Sequence, residues 1–357
     1  EISGYYEKGK IDTNSTGFNI TSDGIRTETN KGIKITQRVF DGGSSLSNIQ
    51  VSKNEILSQR SFLKSIEQEV FLEAIGIYAD LATENSNLIL QKKNVEVLKK
   101  QFELTQEQFE IGEVTMTDVS LSEARLSLAK SELLKSINSI NSLEANFYSV
   151  FGVKPIEPKV KLPTNNLEFS ISELKEIGLE NNPNIRSISF KLKSNEMRIK
   201  SLKRKQLPSV KLEAEAKVNE GYFRTDSERE VLSAYAKIDI PIYQSGAASS
   251  KIRETRKQVF AEKELLKLEK KKFDYNIVSS KSTFDYTLSR IKAFQKQIDS
   301  NKIYLEGLKQ ELQLGERTTL DVLNGEQELL ESELGLINAY KEYFLAYYEI
   351  LFLIGKL

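Results

Sequence analysis

The sequence is written twice. At a constant offset of 203 residues, positions 35–153 match positions 238–356 without a gap. Phe40-Asp41-Gly42-Gly43 falls on Tyr243-Gln244-Ser245-Gly246, and Phe151-Gly152 falls on Ile354-Gly355. Gly112, Thr115, Asp118 and Val119 fall on Gly315, Thr318, Asp321 and Val322. A repeat of about 200 residues is far longer than the 20–50 of solenoid arrays. A gapless register over 119 residues tolerates no drift in loop length, so each copy is expected to follow one stiff, length-critical element.

Composition narrows the chemistry. With no His and no Cys, the chain lacks the commonest general base and metal ligand as well as thiolate nucleophiles, zinc-thiolate sites and disulfides, so an enzyme is not expected. Its 51 basic and 51 acidic residues cancel, which argues against a nucleic-acid partner. No uninterrupted apolar run reaches the roughly 18 residues of a transmembrane helix. The apolar stretch 343–354 is too short and carries Glu349. By the repeat arithmetic, the copy-one equivalents of residues 171–206 would precede residue 1. The sequence therefore reads as truncated, with any export signal lost along with that first helix.

The helical period is strongest where the repeat is tightest. Ile277, Phe284, Ile291, Ile298, Leu305 and Leu312 recur every seven residues, matched by Ala74, Leu81, Leu88, Val95, Phe102 and Phe109. Upstream, Ile252, Val259, Leu266 and Phe273 keep the step, matched by Ile49, Ile56, Leu63 and Val70. A four-residue shift joins the two series at the same place in both copies, as a coiled-coil stutter does. Continuous helices are predicted over 44–110 and 247–313, each on the order of 100 Å long at about 1.5 Å per residue. Gly112 and Gly315 end them as C-terminal glycines, and helices over 117–150 and 320–355 return antiparallel. Residues 171–206 are expected as one further helix.

Before each long helix the period drops to two. In residues 210–218 every second position is apolar and those between are charged. Residues 235–243 repeat the pattern, and Ile33, Ile35 and Val39 show it in copy one. Strands are predicted at 2–10, 31–41, 209–219 and 233–243, with polar loops at 10–31 and 219–233. Tyr5, Tyr6, Tyr222, Phe223, Tyr235 and Tyr243 sit near strand ends, where membrane barrels carry aromatic girdles. An amphipathic hairpin on a soluble domain would alternate in the same way. Four strands cannot close a barrel, and an open edge in lipid leaves backbone groups unsatisfied. Either the strands lie outside a membrane or several chains share one barrel. Three chains would supply twelve strands and twelve helices. The chain thus divides into 1–153, a Pro-containing linker at 154–170 (Pro155, Pro158, Pro163), and 171–357.

The strand exit at residues 40–43, the turns Gly112 to Val119 and Gly315 to Asn324, and the closing Leu353-Ile354-Gly355-Lys356-Leu357 resemble the TolC family of bacterial outer membrane efflux proteins. The G-x-x-T-x-x-D-V motif, present twice at the right distance from a strand pair, is the most specific part. The resemblance implies a mainly α fold with a small β part, assembled as a homotrimer with a 12-stranded barrel and a 12-helix barrel. It implies an outer membrane exit duct with its helices in the periplasm. Such a duct serves drug efflux or type I secretion beside a periplasmic adaptor and an inner-membrane transporter of RND or ABC type. No cofactor or metal is implied.

The family's tip residues carry over by position. An Asp of the first tip and an Arg of the second, which pair across subunits to shut the mouth, correspond to Asp118 and Arg317. The acidic pair lining the constriction corresponds to Asp321 and Asn324, the second a departure from the acidic pattern. A ring of three Asp321 side chains would favour cations. Leu312 stands where the family has a Tyr, so a more weakly locked mouth is expected. Adaptor docking would fall at Gly112, Thr115, Gly315 and Thr318. Each role has a plainer alternative: Asp118 and Asp321 as acids at helix N-termini, Thr115 and Thr318 as N-caps, and the two glycines as C-caps. Arg317 has Val114 as its repeat partner, an asymmetry that capping does not explain. The competing reading of the whole chain is an elongated soluble coiled-coil scaffold. With 2 Met and no His, metal export is the least favoured cargo.

Overall fold

Among the residues that the computed structural model describes (1–13, 24–156, 169–221 and 226–357), the first half contains β1 (Ile2–Thr13), β2 (Gly24–Phe40), α1 (Ser44–Glu110) and α2 (Met116–Phe151). After it come α3 (Ile171–Asn181), α4 (Pro183–Arg204), β3 (Ser209–Glu220), β4 (Glu228–Asp239), α5 (Ala247–Gln313) and α6 (Thr319–Leu353). Each of the two long helices runs unbroken for 67 residues. None of the described helices is long and apolar enough to cross a membrane. Tyr222, Phe223, Pro158 and Pro163 lie outside the described residues.

Two compact units arise, and each draws on both copies of the repeat. The first holds the strands, α4 from Ile188, and the opening turns of α1 and α5. Its sheet is antiparallel throughout, in the order β1-β2-β3-β4. The alternation sorts side chains by face. Ile2, Ile33, Leu232 and Ile238 project from one side and are 75%, 58%, 87% and 62% exposed. The opposite side is polar and internally bonded. Tyr5 donates to Glu215 at 3.0 Å, while Glu213 accepts from Tyr235 at 2.7 Å and pairs with Lys34 at 2.7 Å. A soluble sheet buries its apolar face and solvates its charged one; here the order is reversed.

The strands differ from the expected bounds in two ways. The first hairpin pairs all the way to Thr13↔Gly24, so much of the predicted 10–31 loop is ladder. Backbone pairing continues there although the apolar side-chain signal has faded, because the ladder needs only N–H and C=O groups. β4 begins at Glu228 and stops at Asp239, short of the predicted 243. Pro241 lacks an N–H to donate and restrains Ile240 before it.

α4 packs between α1 and α5 within this unit. Ser194 and Ser201 donate to the Val51 carbonyl (3.2 Å) and to Asn48 (2.6 Å), and Arg204 donates to Ser47 at 2.7 Å. Lys191 and Glu196 reach Glu262 and Lys263 of α5. The face of α1 covered here is Ser44–Ser47–Val51–Ser58. This corrects the heptad reading: Ile49, Ile56, Leu63 and Val70 are half or more exposed in the chain, whereas Ile252, Val259 and Phe273 of copy two are buried. α4 follows the serine face, two residues round the helix, and small hydroxyl side chains let the two backbones approach.

The second unit pairs the rest of α1 with α2 and the rest of α5 with α6, together with α3. Ile77, Leu81, Ile140 and Phe147 form the core of the first hairpin. Leu305, Leu308 and Val322, with Leu312 and Leu329 against them, form one in the second. At the copy-two stutter, Phe273 and Ile277 are both buried, and the Phe273 ring lies against Gly178 of α3. The predicted helix 171–206 is broken at Asn182. Pro183 cannot donate to the preceding turn, and Asn182 Oδ1 instead caps α4 by accepting from the N–H groups of Asn184 (3.0 Å) and Ile185 (3.1 Å).

Candidate functional site

The ends of the two hairpins are built by the same local rules. α1 closes with Gly112 at φ 80° and α5 with Gly315 at φ 77°, a left-handed conformation that side chains with a Cβ resist. In the first turn, Gly112 N–H donates to the Phe109 carbonyl (3.0 Å) and Glu113 N–H to Gln108 (2.9 Å). Gly315 and Glu316 donate in the same way to Leu312 and Glu311. These paired bonds satisfy the last carbonyls of each helix.

The next helix starts three residues later with a capping box in both copies. Thr115 donates through N–H (2.9 Å) and hydroxyl (2.7 Å) to Asp118 Oδ2, and its oxygen accepts from Asp118 N–H at 3.4 Å. Thr318 and Asp321 repeat this at 3.0, 2.8 and 3.3 Å. The Thr318 backbone bond, followed by its hydroxyl, holds the Asp321 carboxyl below the usual carboxylate range, with nearby Arg317 adding to the effect. Both acids therefore sit at helix N-termini, where the dipole also favours negative charge.

Arg317 has a local partner. Its Nε donates to Glu311 Oε2 at 2.8 Å across the Gly315 turn, which pushes the guanidinium further up from an already high value. Within one chain Arg317 and Asp118 are not joined by any hydrogen bond or ion pair among the described residues. Thr115 and Asp118 come together, as do Thr318 and Asp321, but the first tip is not tied to Arg317. Leu312, in place of a phenol, packs on the Leu305–Leu308–Val322 cluster and fills an apolar position.

Asn324 lies one helical turn beyond Asp321, on the same side of α6. Its Oδ1 accepts from Arg125 Nη2 of α2 at 3.1 Å, so this bond ties the first hairpin to the second. Beneath it, Leu323 of α6 joins Leu98, Leu126 and Ala129 in one apolar cluster. Further along α6, Glu326 is buried (7% exposed) and pairs with Lys309 at 3.0 Å. Sequence reasoning missed Arg125 and Glu311. Both carried a signal: the repeat partner of Arg125 is Glu328, opposite in charge, and that of Glu311 is Gln108.

Comparison with known proteins finds relatives over nearly the whole chain. A family model described as outer membrane efflux protein matches residues 3–153 and 176–356. The chain is 25% identical over 358 residues to the outer membrane efflux protein BepC of Brucella suis, covering 100% of this chain and 77% of that relative. It is 20% identical over 226 residues to the proteases secretion protein PrtF of Dickeya chrysanthemi, covering 61% of this chain and 49% of PrtF. The crystal structure of the outer membrane protein VceC of Vibrio cholerae superposes with a TM-score of 0.83 at 15% identity, covering 99% of this chain and 86% of that one.

Proposed function

The chain belongs to the outer membrane efflux protein family, and from that membership we propose that three copies form one duct whose mouth is set by the hairpin ends described above. The protein is an exit duct of the outer membrane and not an enzyme. Its family works with an adaptor and an inner-membrane transporter, which supply contact and energy. Drug efflux and type I secretion both fit such a duct; of the two relatives, BepC is named an outer membrane efflux protein and PrtF a proteases secretion protein.

The observation that carries the trimer is the reversed sheet. Leu232 and Ile238 face outward from a sheet whose two outer strands, β1 and β4, have no further partner among the described residues. Lipid suits the apolar face, but it cannot satisfy an open strand edge. Closure with copies of the same chain resolves this, and three copies make an even-stranded barrel of twelve. The bonded Tyr5, Lys34, Glu213, Glu215 and Tyr235 then line the water-filled interior.

At the hairpin ends, Asp118 of one copy and Arg317 of the next form the lock of the closed mouth, with Asp321 as the acidic ring and Asn324 as a neutral one. Gly112, Thr115, Gly315 and Thr318 shape the two tight turns that the adaptor grips. Conductance of the full-length protein in planar bilayers, beside that of Arg317→Ala, tests the reading. A small resting conductance that rises in the variant supports it. Absence of conductance from protein that purifies without detergent overturns it in favour of a coiled-coil scaffold.

A further inference from the structure

We propose that Arg125 is a determinant of ion selectivity at the mouth, placing beside Asn324 a fixed positive charge that weakens the cation preference of the acidic constriction. This deepens the duct reading and rests on its placement of Asp321 and Asn324 at the constriction.

The cations near the hairpin ends are not equivalent. Arg317 is paired with Glu311 at 2.8 Å, is near enough to Asp321 to favour its charged form, and is the residue proposed to meet Asp118 of the next copy, while Lys309 is paired with Glu326 at 3.0 Å. Arg125 takes part in no ion pair among the described residues, and its bonded partner at 3.1 Å is a neutral carboxamide. A guanidinium stays protonated at any physiological pH. Its full charge is therefore expressed at position 324.

Geometry fixes where that charge acts. Asn324 and Asp321 are three residues apart on α6, so they are neighbours on one helix face. The Arg125–Asn324 bond holds the guanidinium on that neighbourhood, and its partly buried stem limits alternative positions. Each copy thus sets a positive charge beside the helix face that carries Asp321. An acid at 324 would have formed a salt bridge with Arg125 and spent that charge locally, whereas Asn324 leaves it to act on the acidic mouth formed by Asp118, Asp321 and their neighbours. The pore is expected to prefer K⁺ over Cl⁻ less strongly than it would without Arg125.

The test is the reversal potential of the full-length protein in planar bilayers across a KCl gradient at low ionic strength. Wild type is expected to show a weak K⁺ preference. Arg125→Gln moves the potential toward that of K⁺, with a severalfold rise in the K⁺-over-Cl⁻ permeability ratio; Arg125→Lys, which keeps the charge and loses the planar fork, stays near wild type. Arg125→Met, which keeps part of the aliphatic stem, gives the same shift as Arg125→Gln and serves if that variant does not assemble. Asp321→Asn moves the potential toward Cl⁻. An unchanged potential in Arg125→Gln and Arg125→Met while Asp321→Asn shifts it overturns the role of Arg125 and leaves the mouth reading standing. No shift in any variant overturns the constriction itself, and no current from wild type overturns the duct.

Discussion

Arg317 reaches back across the Gly315 turn to Glu311 of its own chain, Nε to Oε2 at 2.8 Å, with both side chains about half exposed. The residue proposed to lock the mouth to the neighbouring copy therefore has a competitor six residues away. Removing the competitor should strengthen the lock. Glu311→Gln is expected to lower resting conductance and Arg317→Ala to raise it, whereas Gln108→Glu at the equivalent place in the first copy should do neither. Equal conductance in wild type and Glu311→Gln would sink the competition.

Asp321 supplies a pH dependence. Its carboxylate is held below the usual range by the Thr318 N–H and hydroxyl, so the folded form is the weaker proton binder. The contribution is complete above the ordinary carboxylate range and is lost as pH falls through the depressed value. The protection factor of the amides at the start of α6, exchange taken relative to the intrinsic rate at each pH, should fall in acid for wild type. In Asp321→Asn that protection should already be lower at neutral pH and change little with acid. Identical acid profiles for the two proteins would contradict this.

The two caps should be separable. Thr115→Ala and Thr318→Ala each remove a hydroxyl that both donates to and accepts from its capping box. A cost of about 1 kcal/mol per helix start is expected. It should appear as lost exchange protection over the first turn of α2 or α6 respectively, while Thr→Ser retains it. Loss at both starts from either single variant would mean that the turns are coupled.

Gly335 tests the packing of the second hairpin. A Cβ there would sit 2.5 Å from the Phe294 ring, whose face also carries Arg290. Gly335→Ala should destabilise by about 1–3 kcal/mol through overpacking, measured by denaturant unfolding in detergent. Phe294→Leu in the same chain should recover part of the loss, because a smaller, flexible side chain makes room. No recovery in the double variant would point to the helix backbone and away from the ring.

Local patterns were the legible part. Glycines at 112 and 315, Thr-x-x-Asp after each, the seven-residue spacing up to Leu312 and the period of two around Val210 all act through neighbours along the chain, and the corresponding turns, capping boxes, long helices and strands are where those patterns lie. Asn182-Pro183 was equally local and marks the break between α3 and α4 that apolar spacing alone had hidden.

What the sequence by itself determined is the conformation of each stretch and which of its faces is apolar, since both follow from periodicity and backbone chemistry within a few residues. Tertiary structure decided what covers each face and which charge meets which acceptor. Ile49 and Ile252 occupy the same place in the repeat, yet the first is half exposed and the second buried, because α4 lies along the serine face of α1. Arg125 finds Asn324 from 199 residues away. Such a contact depends on the relative register and rotation of two helices, set by packing across both hairpins and written in no single segment.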